Sequence, residues 1–368
     1  MKHLLVVAGL LVAVSAGPAL AGVIDGSKVN LATLRGNVAS VSRASEGDAG
    51  VAATRALYPA GGVDSRFVPT ETEPAWWQVD FGVGVTHSVQ NYEILIYNGA
   101  FSKMTYRVET SVDGIQWDDQ TGDIALVLPE GATHVPGYVF GSFDQPVDAR
   151  FVRIVELDYF NTWTGNDSKP GEAIVTWIHL TGPNTFDVNS AISLATPALG
   201  IGGTPTMTDL ENPTPVEKPG LTNNFSNVST DNYFWGVQLN VGEREGQFIP
   251  AQMTVPLDDV YAISAVALTT LKPEDDRRPT IVEIWISPTA DKDDWTKITT
   301  VTLADDLYHH EIELDGSFPA QRVRFDVIAT LGRECYIPQL YVYGTAVPEP
   351  MTMTLLTLGG LALLRRRR

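Results

Sequence analysis

The feature that most constrains the fold is a succession of short segments in which apolar and polar residues alternate. Within residues 75–81, Trp77, Val79 and Phe81 occupy every second position, so they share one face of a strand. Many short strands separated by turn residues are typical of a β-sandwich or barrel. In the first half the predicted strands are residues 75–81, 89–97, 104–111, 150–157 and 173–181. The sequence therefore predicts an all-β fold.

The same order of segments returns in the second half of the chain. There the predicted strands are residues 233–241, 261–269, 280–287, 322–327 and 336–344. Trp117 and Trp295 follow corresponding strands, which indicates a diverged duplication of a whole domain and not a short-period repeat. We therefore predict one domain at residues 22–182, a linker at 183–185 and a second domain at 186–346.

The N-terminus has the three parts of a secretory signal peptide. Lys2 supplies the basic start, an apolar run follows from Leu4, and small residues end at Ala21. Gly17 and Pro18 would break a buried helix at this place. We expect residues 1–21 to be removed on export.

The C-terminus, residues 347–368, begins with a proline-rich motif and ends with a basic cluster. An uncharged segment lies between them; as a helix it would span about 21 Å at about 1.5 Å per residue, short of the ~30 Å membrane core. This order resembles the PEP-CTERM sorting signal of Gram-negative bacteria. The resemblance implies transient insertion into the inner membrane, processing by an exosortase, and delivery through the periplasm to the cell surface or extracellular matrix. A plain membrane tether is the alternative. The residues of the motif and the cluster are Val347, Pro348, Glu349, Pro350, Arg365, Arg366, Arg367 and Arg368.

Charge and cysteine content exclude some functions. The net charge is −19, and loss of Lys2 and the four terminal arginines would make it about −24. Such an acidic chain is not expected to bind nucleic acid, which requires a basic surface. Its one cysteine, Cys335, allows no internal disulfide and is predicted to be a buried free thiol.

The first half resembles the discoidin, or F5/8 type C, family. The resemblance is carried by residues 30–32, 77–82, 106–114 with Trp117, 149–154 and the closing Gly182. It implies two tandem jelly-roll β-sandwiches of the galactose-binding-like type, the second one diverged. Family members that bind sugars use loops at one end of the sandwich, with aromatic rings for stacking and polar side chains for hydroxyl groups.

The loop that best fits such a site is predicted at residues 158–167. Three aromatic residues within five loop positions are unusual on a solvated surface; packing of these rings under the loop as a lid on the core is the alternative. The candidate glycan-binding residues are Tyr159, Phe160, Asn161 and Trp163, with Asn98, Phe101, Tyr58 and Arg66 in neighbouring loops.

The second half offers weaker candidates. Arg277 and Arg278 stand where sugar-binding relatives place an arginine, but neighbouring acidic residues favour a solvated charged turn. The resemblance also implies a structural calcium ion. Trp177 and Gln339 replace its usual glutamate ligand, which argues against calcium in this chain.

No catalytic motif is evident in the sequence. Asp305, Asp306, His309 and His310 suggest a metal cluster, but adjacent histidines on a strand point to opposite faces. The sequence therefore predicts a non-catalytic surface or matrix protein that binds carbohydrate, such as an exopolysaccharide, through its first sandwich. The alternatives are a structural surface protein without a small ligand, or an enzyme with acids converging in a cleft between the domains.

Overall fold

In the computed structural model, the described residues lie between positions 23 and 347. The residues outside the description are 1–22, 26, 28, 46–48, 59–64, 97–100, 134, 136, 162–171, 188–190, 197–198, 200, 219–220, 222–236, 245, 272–275, 292, 306, 333 and 348–368. The predicted signal peptide and the predicted sorting tail from Pro348 onward lie outside the described residues and stay predictions. Among the helices that the structure describes, none has the length and apolar character needed to cross a membrane.

The described residues of the first half form thirteen strands and one α-helix, with a short 3-10 helix at Leu31–Thr33. They are β1 (Val23–Asp25), β2 (Val38–Val41), α1 (Ala49–Leu57), β3 (Ser65–Phe67), β4 (Ala75–Asp80), β5 (His87–Leu95), β6 (Phe101–Ser111), β7 (Asp118–Asp119), β8 (Ile124–Leu126), β9 (Tyr138–Ala149), β10 (Phe151–Asn161), β11 (Ala173–Val175), β12 (Trp177–Thr181) and β13 (Thr185–Asp187). All five strands predicted in this half are present, whereas α1 was not predicted.

Two sheets enclose the core of this half. The larger has the order β2-β4-β10-β6-β7, with β8 also paired to β6, and the smaller has the order β12-β5-β9. Trp77 and Val79 on β4 and Ile94 on β5 are fully buried and belong to one core, as the alternation predicts. The all-β fold class is confirmed.

One predicted strand is in fact two. Residues 173–181 divide at Thr176, whose amide donates to the carbonyl oxygen of Leu95 over 2.7 Å. Before this point β11 pairs with β3, and after it β12 pairs with β5. The apolar run is continuous because side chains on both strands are buried, so periodicity alone did not reveal the break.

In the second half, the part of the chain that the structure describes forms eleven strands. They are β14 (Thr206–Thr208), β15 (Val216–Glu217), β16 (Val237–Asn240), β17 (Gly242–Arg244), β18 (Gln247–Ile249), β19 (Ala251–Thr269), β20 (Pro279–Ser287), β21 (Thr296–Thr302), β22 (His309–Thr330), β23 (Glu334–Ile337) and β24 (Leu340–Ala346). The main sheet has the order β15-β14-β19-β22-β20-β21, with β24 also paired to β19.

This order repeats that of the first half. The first part of β19, the last part of β22, and β20 take the places of β4, β10 and β6. The rest of β19 pairs with β24 and with the start of β22, as β5 pairs with β12 and β9. In the second half, two long strands therefore provide what four separate strands provide in the first.

A matching arginine–tryptophan stack lies on the outer face of each main sheet. In the first half, the guanidinium carbon of Arg153 is 4.0 Å from the centre of the Trp117 ring. In the second half, Arg324 lies 4.6 Å from the centre of Trp295. Each arginine stands between two core residues of its strand, so the stack covers the outside of the same part of the sheet.

Several contacts join the two halves. The amide of Arg35 donates to the carbonyl oxygen of Ala191 over 2.9 Å. Arg35 forms ion pairs with Glu311 and Glu313 of β22, and its guanidinium carbon lies 5.4 Å from the centre of the Tyr343 ring. The side chain of Arg35 is only 16% exposed, so these pairs are partly shielded from water.

Candidate functional site

Several residues predicted for the glycan site lie near the end of β10 and the start of β6. Asn161 at the end of β10 pairs with Phe101 at the start of β6. Ser65 at the start of β3 pairs with Val175 of β11. The next residue, Thr176, donates its backbone amide to the carbonyl oxygen of Leu95 at the end of β5. The segments 59–64, 97–100 and 162–171 lie outside the described residues, so their convergence into a glycan site stays a prediction.

Two of the predicted aromatic residues are buried and not exposed. Tyr159 is 7% exposed and Phe101 is 1% exposed; their ring centres are 6.0 Å apart in an edge-to-face arrangement. Burial also raises the pKa of the Tyr159 hydroxyl. The expectation that these rings are open for stacking on a sugar is wrong, and the predicted alternative of a lid on the core describes both.

A β-bulge explains why the loop prediction failed. β10 continues through Asn161, and its pairing with β6 shifts between Glu156 and Asp158. Val152 and Ile154 face the core before the shift. After the shift, odd-numbered instead of even-numbered positions face the core, so the side chain of Tyr159 points inward. The side chains of Phe160 and Asn161 are outside the description, and their predicted role stays a prediction.

The remaining predicted residues are divided among three environments. Tyr58 is 6% exposed and packs against the second half of the chain, so its predicted exposure at the glycan loops is wrong. Arg66 is partly exposed at the end of the sandwich and forms an ion pair of 3.4 Å with Glu172. Asn98 and Trp163 lie outside the described residues, and their assignment to the site stays a prediction.

A buried carboxylic acid near the site was not singled out from the sequence. Glu156 is 1% exposed, and among the described residues neither of its carboxyl oxygens has a hydrogen-bond partner. It faces the core beside Ala75 and Tyr106, its neighbours across the sheet. Burial raises the pKa of Glu156 well above its ordinary value, so the neutral acid is favoured. The sequence did contain a signal for this buried acid, because Glu156 occupies a core-facing position in the alternating pattern of its strand.

The arginine pair of the second half differs from its prediction. Arg278 is 2% exposed and donates to the carbonyl oxygens of Asp305, at 2.6 Å, and Ala304, at 2.8 Å. It is a buried anchor of the loop before β22 and not part of a solvated charged turn, because guanidinium donors can satisfy several backbone carbonyls at once. Arg277 lies against the ring of Tyr336 at 4.9 Å.

The two positions at which the resemblance implies a glutamate ligand for calcium carry no carboxylate. Trp177 is fully buried in the smaller sheet, and Gln339 is 2% exposed. Within the described part of the chain, no group of three or more His, Cys, Asp or Glu side chains is placed to hold a metal ion.

The histidine pair divides as its strand position predicts. His309 stacks on Tyr58, whereas Nε2 of His310 lies 3.2 Å from the hydroxyl of Thr270. Burial and the neighbouring His310 lower the pKa of His309 to about 3, so its imidazole is neutral at neutral pH. Cys335 is buried and free, as predicted, and burial raises the pKa of its thiol.

Comparison with known families decides the identity of the first sandwich. Residues 38–168 match the F5/8 type C domain. This segment is an F5/8 type C domain. The match spans β2 through β10 and the segment after it, and so includes the end of the sandwich at which the candidate site lies.

Solved structures similar to the chain include sugar-binding proteins and an enzyme. A fucolectin from striped bass (Morone saxatilis) is 14% identical, with a TM-score of 0.31, and the alignment covers 87% of this chain and 99% of that one. Allantoicase is 12% identical, with a TM-score of 0.33 and coverage of 86% and 93%. Two CBM32 domains from Clostridium perfringens, in complex with GalNAc, are 9% identical, with a TM-score of 0.30 and coverage of 86% and 91%.

Because these TM-scores are low, the assignment rests on the sequence match of the F5/8 type C domain itself. Among curated proteins, none matches the chain.

Proposed function

We propose that the protein is a non-catalytic, carbohydrate-binding protein of the cell surface or extracellular matrix, and that the F5/8 type C domain holds the glycan. The observation that supports this most is the match of residues 38–168 to the F5/8 type C domain. Loops held by a rigid sandwich are a common location for ligand binding, because they vary without disturbing the core.

The glycan contact is assigned to the exposed part of this domain near the end of β10. With Tyr159 and Phe101 buried, the stacking ring is Trp163, and the polar contacts come from Arg66, Asn98 and Asn161. The ion pair between Arg66 and Glu172 holds the guanidinium at the rim of the sandwich, where a sugar hydroxyl can accept a hydrogen bond.

Export and sorting complete the proposal. The signal peptide at residues 1–21 directs the chain across the inner membrane, and an exosortase processes the tail at 347–368 after transient membrane insertion. Val347, the last described residue of the chain, follows β24 directly and is 40% exposed. The start of the sorting motif is therefore accessible next to the folded body, as a processing enzyme requires.

The test is binding of the full-length protein to a panel of polysaccharides and simple sugars. We expect saturable binding of at least one glycan, and a loss of affinity of about tenfold or more in Trp163→Ala, because stacking on a Trp ring contributes roughly 1–3 kcal/mol. Phe248→Ala removes an exposed aromatic ring of the second half and serves as the matched control. Absence of binding to every glycan by the folded protein would overturn the proposal.

A structural role without a small ligand is the second candidate function. The burial of Tyr159 and Phe101 supports it, since two of the aromatic rings predicted for stacking serve the core instead. In that case the sandwiches act as spacers or assembly units of the cell surface. The folded protein would then bind none of the glycans, while cells that produce the protein would differ in surface assembly from cells that lack it.

A further inference from the structure

A cleft of about 500 Å³ lies between the two halves. One wall comes from the first half, at the turn before β2 and the end of α1. The other comes from the segment that leads into β22. This volume is within the range of sites that hold small organic ligands, roughly 300–1,000 Å³.

The walls of the cleft are fixed by contacts between aromatic rings and charged groups. The rings of Tyr58 and His309 stack with their centres 3.7 Å apart and their planes inclined by 5°. Next to them, Arg55 donates to the hydroxyl of Tyr308 over 2.5 Å and lies 4.8 Å from the centre of that ring. The ion pairs of Arg35 with β22 lie behind the same wall. A cleft held in this way is preformed, which lowers the entropic cost of binding a ligand.

The lining of the cleft is both apolar and polar. Its most exposed apolar side chains are Val38 of the first half, 63% exposed, and Leu307 of the second half, 44% exposed, and they define the mouth of the cleft. Thr54 and Glu311 also line it. Nδ1 of His309 is buried and, among the described residues, has no hydrogen-bond partner. A buried polar atom of this kind is costly unless a ligand or water satisfies it.

The charges of the walls restrict the chemistry of the ligand. None of the described lining residues is Lys or Arg, and the chain carries a net charge of −19, so an anionic ligand is disfavoured. Glu311 is already paired with Arg35, so it does not require a cationic ligand. A neutral ligand with apolar faces and several hydroxyl groups matches this mixed lining.

We propose that this cleft binds a neutral saccharide unit between the apolar side chains of Val38 and Leu307, with its hydroxyl groups bonded to Thr54, Glu311 and Nδ1 of His309. The site is formed by residues of both halves, so it exists only while the halves are in contact. The chain would then present two sugar sites, one on the first half and one between the halves.

The experiment follows the imidazole resonances of His309 by NMR while the full-length protein is titrated with galactose, glucose, N-acetylglucosamine and their β-linked dimers. We expect saturable shifts for at least one of them at millimolar concentrations. Val38→Trp should fill the mouth and weaken this binding about tenfold or more. Val83→Trp adds the same ring at a position that is 88% exposed and is the matched control.

Two further variants keep the outcomes distinct. Leu307→Trp fills the mouth from the opposite wall, so it replaces Val38→Trp if that variant does not fold. Trp163→Ala should leave the His309 shifts unchanged. Absence of saturable shifts for all sugars, or shifts that persist in both filled variants, would overturn the proposal. Binding that depends on Trp163 alone would overturn it as well, while leaving the proposed function of the first half intact.

Discussion

The two halves of the molecule share an order of strands but differ in where they bury a carboxyl group. On β10 the acid is Glu156, which faces the core, and the corresponding position on β22 is Val327, which is fully buried. On β22 the acid is Asp326, one residue earlier, and it faces the outside of the sheet where β10 has Val155.

The surroundings of the two acids differ accordingly. Asp326 is 3% exposed, lies 2.9 Å from Nε of Arg324 and accepts a hydrogen bond of 3.1 Å from Gln252. Burial raises the pKa of Asp326 to about 6, even though Arg324 and Gln252 act in the opposite direction. Glu156 has no such neighbours among the described residues. A shift of one position in a strand therefore decides whether a buried acid has partners, because successive side chains lie on opposite faces.

The largest expected effect on stability comes from placing a glutamate in the core of the second half, at the position that corresponds to Glu156. Val327→Glu would place an unpaired carboxyl group in the core of the second half. We expect it to lower the free energy of unfolding by about 3–5 kcal/mol, the range for a buried charge without a partner. Urea denaturation measures the difference. Leu331→Glu, at a residue that is 59% exposed, is the control. A cost below about 1 kcal/mol would show that both halves accept a core acid equally.

Removing the carboxyl group of Glu156 from the core of the first half should change the stability less, and the change should depend on pH. Since the pKa of Glu156 is raised in the folded state, its contribution to stability is present below the ordinary value of 4.5 and is lost as the pH rises toward the folded pKa. We expect Glu156→Gln to match the parent protein at pH 4 and to exceed its free energy of unfolding by about 1–3 kcal/mol at pH 7. Thermal unfolding at both pH values measures this.

The matched control for this change is Glu71→Gln, at an exposed position. A parent protein more stable than Glu156→Gln at pH 7 would mean that the carboxylate of Glu156 is ionised and paired, and the contrast with Asp326 would disappear.

The smallest expected effect on stability concerns the arginine–tryptophan stack, which both halves contain. Trp117→Ala and Trp295→Ala each remove the ring that covers the arginine on the outer face. We expect each to lower the free energy of unfolding by about 1 kcal/mol, since a partly exposed cation–π contact is worth roughly 0.5–2 kcal/mol. Chemical denaturation of both variants, with Phe248→Ala as the control, gives the comparison. If the losses of unfolding free energy in the two variants differ by more than about twofold, the two stacks are not equivalent.

The sequence predicted the strands of the core because their alternation was regular. Trp77 and Val79 follow the period of two without interruption, and both are buried on the side that the pattern indicates. Cys335 was likewise predicted correctly from the apolar strand around it. The candidate site was less predictable, since Trp163 and Asn98 lie outside the described residues and Tyr159 stands beyond a bulge.

Residues whose surroundings come from distant parts of the chain were predicted poorly. Arg278 has acidic neighbours in sequence, but its guanidinium bonds to carbonyl oxygens of the loop that precedes β22. Tyr58 follows a helix that was not predicted, and its ring packs on His309 of the second half. In both cases the neighbouring residues in the sequence indicated an exposed side chain, whereas contacts with residues far away in the chain bury it.

By itself the sequence determined the all-β class and the face of each regular strand, because these depend on a period of two that neighbouring residues carry. It also contained the order of segments by which the F5/8 type C domain is recognised. Only the tertiary structure decided which aromatic rings are buried, which acid has a partner, and how the two halves enclose a cleft. These depend on a bulge, on a corner between sheets and on contacts between residues far apart in the chain, and none of them leaves a periodic signal in the sequence.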